Sequence, residues 1–323
     1  YEIAQCLVGS EMCIRDRNEA GQRFDKYIFK LLKNAGTGLI FKQLRNKNIV
    51  LNGKKAKGNE ILKENDSVRI FMSDDTINKF TGGPLHISKT GFRLDVIYED
   101  DDILLASKPV GVLSQKSSDK DISMNEYLIE YLTDNGFGKE NLATFKPSFC
   151  NRLDRNTSGL MIAGKSLRGL QKMSEIIKDR SIHKFYLTIV KGIVDKKSVI
   201  KGYLRKDEKN NKVVIYDNPV KDSYEIHTEY EPLATKDDMT LLKVRLITGK
   251  THQIRAHLAG IAHPVLGDFK YGDKVFNEKY GEKNQLLHSY QVVFPKLDDF
   301  PDISEKSFNT PYPVNFTKYF KEK

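Results

Sequence analysis

The sequence predicts an α+β fold, in which a small N-terminal module is joined by a linker to a larger, antiparallel-rich mixed-sheet domain. Three observations lead there. Helical apolar spacing is confined to short segments, eight strand-like runs fall between residues 94 and 294, and a polar, Gly-rich stretch separates two patterned regions. Many strands joined by turns, with helices inserted between some of them, argue against regularly alternating βαβ units. At 323 residues the chain is long enough for two cores.

Residues 1–17, YEIAQCLVGSEMCIRDR, show no period and stop abruptly at a patterned segment. They resemble translated adaptor read-through or an added leader, and are set aside as non-native. From Arg23 onward, Phe24, Tyr27, Ile28, Leu31 and Leu32 mark one face of a helix ending near Asn34 to Gly36, and a second short helix is expected from Leu39 to Asn46. Ile49 to Leu51 then runs into Asn52-Gly53, a hairpin-turn pair, and a further strand covers Ser67 to Phe71. The module is bounded at 18–75, the linker at 76–92 and the larger domain at 93–323.

In the larger domain the expected strands are Leu94 to Tyr98, Ile103 to Ala106, Leu160 to Ala163, Phe185 to Val190, Val213 to Tyr216, Tyr224 to Tyr230, Leu241 to Ile247 and Val292 to Phe294. Two helices interrupt them. Ser123 with Glu126 three residues on is a capping-box signature for one that runs to about Thr133, and the other covers Leu167 to about Asp179.

The formal charge is +10, and its distribution is uneven. Residues 22–73 carry 12 basic and 4 acidic side chains, whereas the following 250 residues carry 39 and 35. A surplus concentrated in fifty residues attracts polyanions, because neutralised phosphates release condensed counterions. Lys26, Lys30, Lys33, Lys42, Arg45, Lys47, Lys54, Lys55 and Lys57 are the candidates for that face. Three scattered cysteines offer neither a disulfide framework nor a zinc site, and no apolar run approaches 18 residues. A cytoplasmic protein with no membrane partner is expected.

The densest polar cluster is Asn151-Arg152-Leu153-Asp154-Arg155-Asn156-Thr157-Ser158-Gly159. One carboxylate stands between two guanidiniums, which would keep a partly buried Asp154 ionised, as a carboxylate nucleophile requires. Taken alone, such a triplet is more often a surface ion pair at a turn. The following string, Gly159 to Ser166, fits GxxxxGK[ST] letter for letter, but its apolar middle reads as a strand and Ser166 as a helix cap, so no nucleotide loop is expected. His252, His257 and His263 lack a zincin's spacing, and no metal is expected there. Asp100-Asp101-Asp102 reads as a turn between strands.

Other blocks give the cluster its meaning. Residues 151–159 resemble the catalytic signature HRLDxxTSG of the large pseudouridine synthase family that includes the RluA, RluC and RluD rRNA enzymes. His183-Lys184-Phe185-Tyr186-Leu187 is similar to that family's Tyr-bearing strand, and Thr248 to Ala259 to its TGRTHQIRxHLA block, followed by His263-Pro264 and Gly267-Asp268. Ser107 to Gly111 and Leu287-His288 match an early and a late block. Residues 18–75 in turn resemble the alpha-L RNA-binding module found in a ribosomal protein, tyrosyl-tRNA synthetase and several RNA-modifying enzymes.

The resemblance implies isomerisation of uridine to pseudouridine in structured RNA, with 23S rRNA as the nearest match, no cofactor, and a monomeric enzyme. It implies that Asp154 is the catalytic carboxylate, that Arg255 pairs with it, and that Tyr186 stacks on the extruded base. Arg152 would brace the vacated space, and Arg155, His252 and Gln253 would touch RNA. Attack on ribose C1′, attack on the base and elimination to a glycal all remain open. Position 151 departs from the pattern, holding Asn where His is commoner. The competing classes are a non-catalytic RNA-binding or ribosome-assembly protein, which would leave uridine unchanged, and a nucleotide hydrolase, for which no second acidic motif is present.

Overall fold

The computed structural model describes residues 10–13, 20–81, 89–138, 142 and 145–320. The N-terminal module contains β1 (Ser10–Cys13), α1 (Phe24–Leu31), α2 (Thr37–Arg45), β2 (Ile49–Leu51), β3 (Lys54–Lys55) and β4 (Ser67–Ile70). Phe24, Tyr27, Ile28 and Leu31 of α1 pack with Ile40 and Leu44 of α2 over Ile49, Val68 and Ile70. Asn52 and Gly53 both have positive φ, 51° and 69°, which suits the tight turn joining β2 to β3. The stretch set aside as a leader lies outside the described residues except for β1, which adds an edge strand to β4, with Ser10 opposite Ile70 and Cys13 opposite Ser67.

The linker begins later than the sequence predicts. Asp74–Thr81 forms a helix, α3, whose Ile77 and Phe80 pack against the module core. Its end is fixed by Asn34, whose backbone N–H donates to the Phe80 carbonyl at 3.0 Å. Two apolar residues in a polar stretch are too few to register as a period, yet they suffice when a core edge is available to receive them. Residues 82–88 of the predicted linker lie outside the described residues. Past them the chain is anchored again, because Glu130 accepts from the backbone N–H groups of Thr90 and Gly91, and the Phe92 ring stacks on Tyr127 at 4.1 Å.

The larger domain runs β5 (Asp95–Glu99), β6 (Ile103–Lys108), α4 (Met124–Asp134), β7 (Ser148–Phe149), β8 (Ser158–Gly164), α5 (Leu167–Lys178), β9 (His183–Lys191) and β10 (Ser198–Asp207). It continues with β11 (Lys212–Tyr216), β12 (Tyr224–Lys236), β13 (Met239–Leu246), α6 (Gln253–Gly260), α7 (Lys274–Tyr280), β14 (Leu287–Val293), β15 (Ser307–Asn309) and α8 (Val314–Thr317). The 11-stranded sheet has the order β11-β10-β12-β13-β9-β14-β8-β6-β5, with β15 beside β14 and β7 beside β8. Among the described residues all strand pairings are antiparallel except β14 with β8, so the sheet is mixed and antiparallel-rich as expected.

Alternation along the strands divides the core between two faces. Leu104, Ala106, Met161, Tyr186 and Val244 face α4 and α6, while Ile103, Leu105, Leu160 and Ile162 face Met173 and Ile176 of α5. The P-loop-like string is accounted for here. Its first six residues lie in β8, and an added Cβ on Gly164 would stand 2.4 Å from the Leu170 Cα, so helix packing fills the space that a phosphate would need. The Ser166 hydroxyl caps α5 by accepting from the Gly169 N–H at 2.9 Å. Asp100 closes the β5–β6 turn, its Oδ1 accepting from the Asp102 and Ile103 N–H groups. Among the described residues no helix is long and apolar enough to cross a membrane.

Candidate active site

The loop before β8 carries Asp154 and is pinned from several sides. The Ser114 hydroxyl donates to the Leu153 carbonyl at 2.8 Å and accepts from the Leu153 N–H at 2.9 Å, and the Thr157 N–H closes a turn on the Asp154 carbonyl at 3.0 Å. Lys108, wholly buried at the end of β6, donates to the carbonyls of Pro109 and Arg155 at 2.8 and 2.9 Å. Burial draws its pKa down to about 8, against the opposing pull of Asp154. Asn151 does a backbone's work: its Oδ1 accepts the Ile162 N–H at 2.8 Å. That role needs a fixed acceptor, which gives the departure at position 151 a structural reading.

The Asp154 side chain is about a quarter exposed, and α6 supplies its partner. Arg255 Nη1 donates to Asp154 Oδ2 at 2.7 Å, while Nε and Nη2 donate to the two oxygens of Asp268 at 2.7 and 2.9 Å. One guanidinium therefore spans two carboxylates, one opening to solvent and one completely buried. Burial alone would lower the Arg255 pKa, but Asp268 and Asp154 together raise it, so the cation is permanent. Burial would likewise raise Asp268, and is overcome by Arg255 and by the N–H groups of Lys270 and Tyr271, which hold the carboxyl below its ordinary range. The bidentate clamp fixes the guanidinium plane, and with it the direction from which Asp154 is held.

Tyr186 arrives by register. Across adjacent strands Lys108 stands opposite Gly159, Gly159 opposite Ser289, and Ser289 opposite Tyr186. Gly159 has φ 107°, and an added Cβ would lie 2.1 Å from the Ser289 carbonyl oxygen, so only glycine allows β14 to close on β8. Burial, reinforced by the Asp154 charge and opposed by a hydrogen bond with Ser289, pushes the Tyr186 phenol up to about 12. It is therefore protonated at neutral pH, suited to stacking and to donating a hydrogen bond.

His252 occupies the left-handed region at φ 53° where α6 begins. The Tyr271 hydroxyl accepts from the Val213 N–H at 2.8 Å and so has its proton free for His252 Nδ1 at 2.9 Å. His252 Nε2 lies 4.0 Å from Asp154 Oδ2. Desolvation lowers the imidazole pKa in spite of Asp154, which keeps the ring neutral.

The structure thus brings Asp154, Arg255, Tyr186 and His252 together on the α6 face. Arg152 and Arg155 are exposed on the same loop, and Arg155 Nε donates to the Gly111 carbonyl at 3.0 Å. Gln253 needs correcting. It is 2% exposed and engaged on both sides, accepting from the Thr248 hydroxyl and the Lys250 N–H and donating to His227 O and Thr228 Oγ1, so it braces the loop rather than touching RNA. His257 and His263 turn to Thr228 Oγ1 and the Lys191 carbonyl. Lys26, Lys30, Lys42, Arg45, Lys47, Lys54 and Lys55 are all exposed on the separate module, with Lys26, Lys30 and Lys33 spaced as one stripe along and just beyond α1.

Asp268, Tyr271, Lys108 and Ser289 take roles that sequence reasoning does not assign. Asp268 and Lys108 lie inside recognisable blocks, which is the available signal; Tyr271 and Ser289 act through pairings that only the folded sheet creates.

The sequence profile described as RNA pseudouridylate synthase matches residues 102–260. A Mycoplasma genitalium protein described as an uncharacterized RNA pseudouridine synthase is 31% identical over 299 residues, covering 90% of this chain and 92% of the relative. The ribosomal large subunit pseudouridine synthase C of Pasteurella multocida is 28% identical over 294 residues, covering 88% and 86%. Among solved structures, human RNA pseudouridylate synthase domain containing 4 shares the fold at TM-score 0.56 and 20% identity, covering 69% of this chain and 90% of that one.

Proposed function

Because this chain belongs to the RNA pseudouridylate synthase family, and is an RNA pseudouridine synthase, we propose that it isomerises uridine in large-subunit ribosomal RNA with Asp154 as the catalytic carboxylate. The observation that carries the assignment is the partly exposed Asp154 carboxylate, held at 2.7 Å by an Arg255 that is itself locked by buried Asp268. The similarity to the Pasteurella large-subunit enzyme supports the choice of ribosomal RNA.

The reaction breaks the bond from ribose C1′ to N1, turns the base, joins C1′ to C5 and transfers the C5 proton to solvent while N1 gains one. No atom or electron is gained or lost overall, so no cofactor is needed to balance it. Asp154 assists cleavage either by bonding to C1′ or the base, or by accepting a ribose proton; each route needs an ionised carboxylate. Arg255, at 2.7 Å, orients it. The Tyr186 ring supports the flipped base, and its phenol, held protonated, positions the base by hydrogen bonding rather than serving as a resting base. Arg152, exposed beside Asp154, braces the space that the flipped base vacates, and Arg155, exposed on the same loop, meets the RNA backbone. The reading includes a monomer acting where ribosomes are assembled, with residues 18–75 as an auxiliary RNA grip of the alpha-L type.

Carbodiimide labelling of large-subunit rRNA incubated with the purified protein tests this. The expected result is a new alkali-resistant adduct at one or a few uridines. RNA that binds but stays unmodified would favour a non-catalytic binder.

A further inference from the structure

Side chains two apart on a strand share a face, so Lys184 emerges on the same side of β9 as Tyr186, about 7 Å further along. It runs beneath the loop that carries His252: an added Cβ on Gly249 would lie 3.5 Å from Lys184 Nζ. Beyond it is a cleft of about 230 Å³ lined by Arg180, Tyr224, Glu225, His227, Thr248 and Lys250. Burial, then the nearby Arg180 charge, lowers the Lys184 pKa, as expected of cations gathered in one place. Among the described residues none of Arg180, Lys184 and Lys250 is in an ion pair, and the one carboxylate lining the cleft, Glu225, is held by His227 at 2.8 Å. Lys250 Nζ sits 3.8 Å from the centroid of the Tyr224 ring, which is 58% exposed.

We propose that this cleft is a subsite for a single-stranded nucleotide flanking the target uridine, in which Arg180, Lys184 and Lys250 receive a phosphodiester and Tyr224 stacks on a base. The proposal rests on the function given above. Cations with no ion pair among the described residues, leading away from Tyr186, fit a polyanion, and an exposed aromatic beside them supplies a π-face that any unpaired base can use. Thr248 and the Gln253 brace hold the loop against β12, so Lys250 is presented by rigid backbone. The resemblance of the Thr248 to Ala259 block gives Lys250 no role.

Fluorescence anisotropy with an octauridylate RNA over a range of salt concentrations tests the subsite. Lys250→Ala and Arg180→Ala should each flatten the dependence of log affinity on log salt by about 0.7 for every phosphate that is no longer neutralised. Tyr224→Ala should weaken binding roughly five-fold or more with the slope unchanged, and Tyr224→Phe should bind as the parent does. Arg180 and Tyr224 are exposed and Lys250 is half-buried, and the changes should leave the thermal midpoint unaltered. Variants with the parent's affinity and slope would overturn the subsite. A parent that binds but forms no pseudouridine would instead contradict the function, while the binding comparison would still decide the subsite.

Discussion

At the scale of single residues, the site is a set of groups whose charge states are fixed by their neighbours. Asp154, Arg255 and Asp268 all fall in blocks that the sequence shows, but the role of Asp268 as second anchor is not legible there, since nothing local pairs it with an arginine 13 residues away. Gln253 misleads for the same reason, as its polar motif hides a fully engaged interior side chain. Tyr186→Phe keeps the ring and removes a phenol that is protonated at neutral pH and bonded to Ser289. RNA affinity should hold, while single-turnover pseudouridine formation should slow by about 10²-fold if the hydroxyl positions the base; an unchanged rate would confine Tyr186 to stacking. His288 offers a test of stability. Its ring is buried between Ser158 Oγ at 2.8 Å and Thr310 Oγ1 at 2.6 Å, and burial draws its pKa down to about 4. The unfolded chain, with an imidazole near the ordinary value of about 6.5, binds more protons between those limits, so stability rises with pH. The contribution is complete above about pH 6.5 and fades as pH falls toward 4, by an amount on the order of 3 kcal/mol. Urea denaturation at pH 7.5 and 4.5 should show His288→Asn losing less stability over that interval than the parent; equal losses would remove His288 as the cause.

At the scale of elements, strands with clean alternation and helices with a cap are legible. Ser123 and Glu126 do form the reciprocal capping box that opens α4, and Ser166 opens α5. The β10 strand escapes sequence reading, because its burial is confined mainly to Gly202 and Leu204, and Lys201, Arg205 and Lys206 are exposed along it. Helix α6 is hidden for the opposite reason. Its residues from Gln253 to Leu258 are buried all round, so no amphipathic stripe exists, and it starts from a left-handed His252 instead of a conventional cap. The start of β14 escapes notice because it is polar and buried, with a register shift between Ser289 and Gln291. This strand holds the site together, since it joins β8 to β9 and so Asp154's loop to Tyr186. Gly159→Ala should therefore part β14 from β8, at a cost of at least about 2 kcal/mol, with loss of activity. A parent-like urea midpoint together with full activity would show that the close approach is easily relaxed.

At the scale of the molecule, the division into a basic module and a larger domain is visible in the charge distribution and in the two patterned regions. The linker's start is not, because Ile77 and Phe80 are recruited by a core that lies elsewhere in the chain. Since Glu130 and the Phe92–Tyr127 stack anchor the chain from Thr90 onward, a truncation that removes residues 1–80 spares the larger domain's own packing. The truncated protein should fold, act on short RNA at near the parental rate, and bind long rRNA more weakly with a shallower salt dependence. Unchanged affinity and slope would mean that the exposed lysines of the module do not grip RNA.

The most direct measurement concerns Asp154→Asn, assayed for pseudouridine in a single-turnover reaction with excess enzyme on large-subunit rRNA, with circular dichroism and RNA affinity recorded on the same preparation. The change keeps shape and removes the charge. The account predicts a folded protein that binds RNA as the parent does, is modestly less stable because Arg255 is left with one of its two anions, and forms no pseudouridine even at long times. Substantial isomerisation by this folded variant would contradict the role assigned to Asp154.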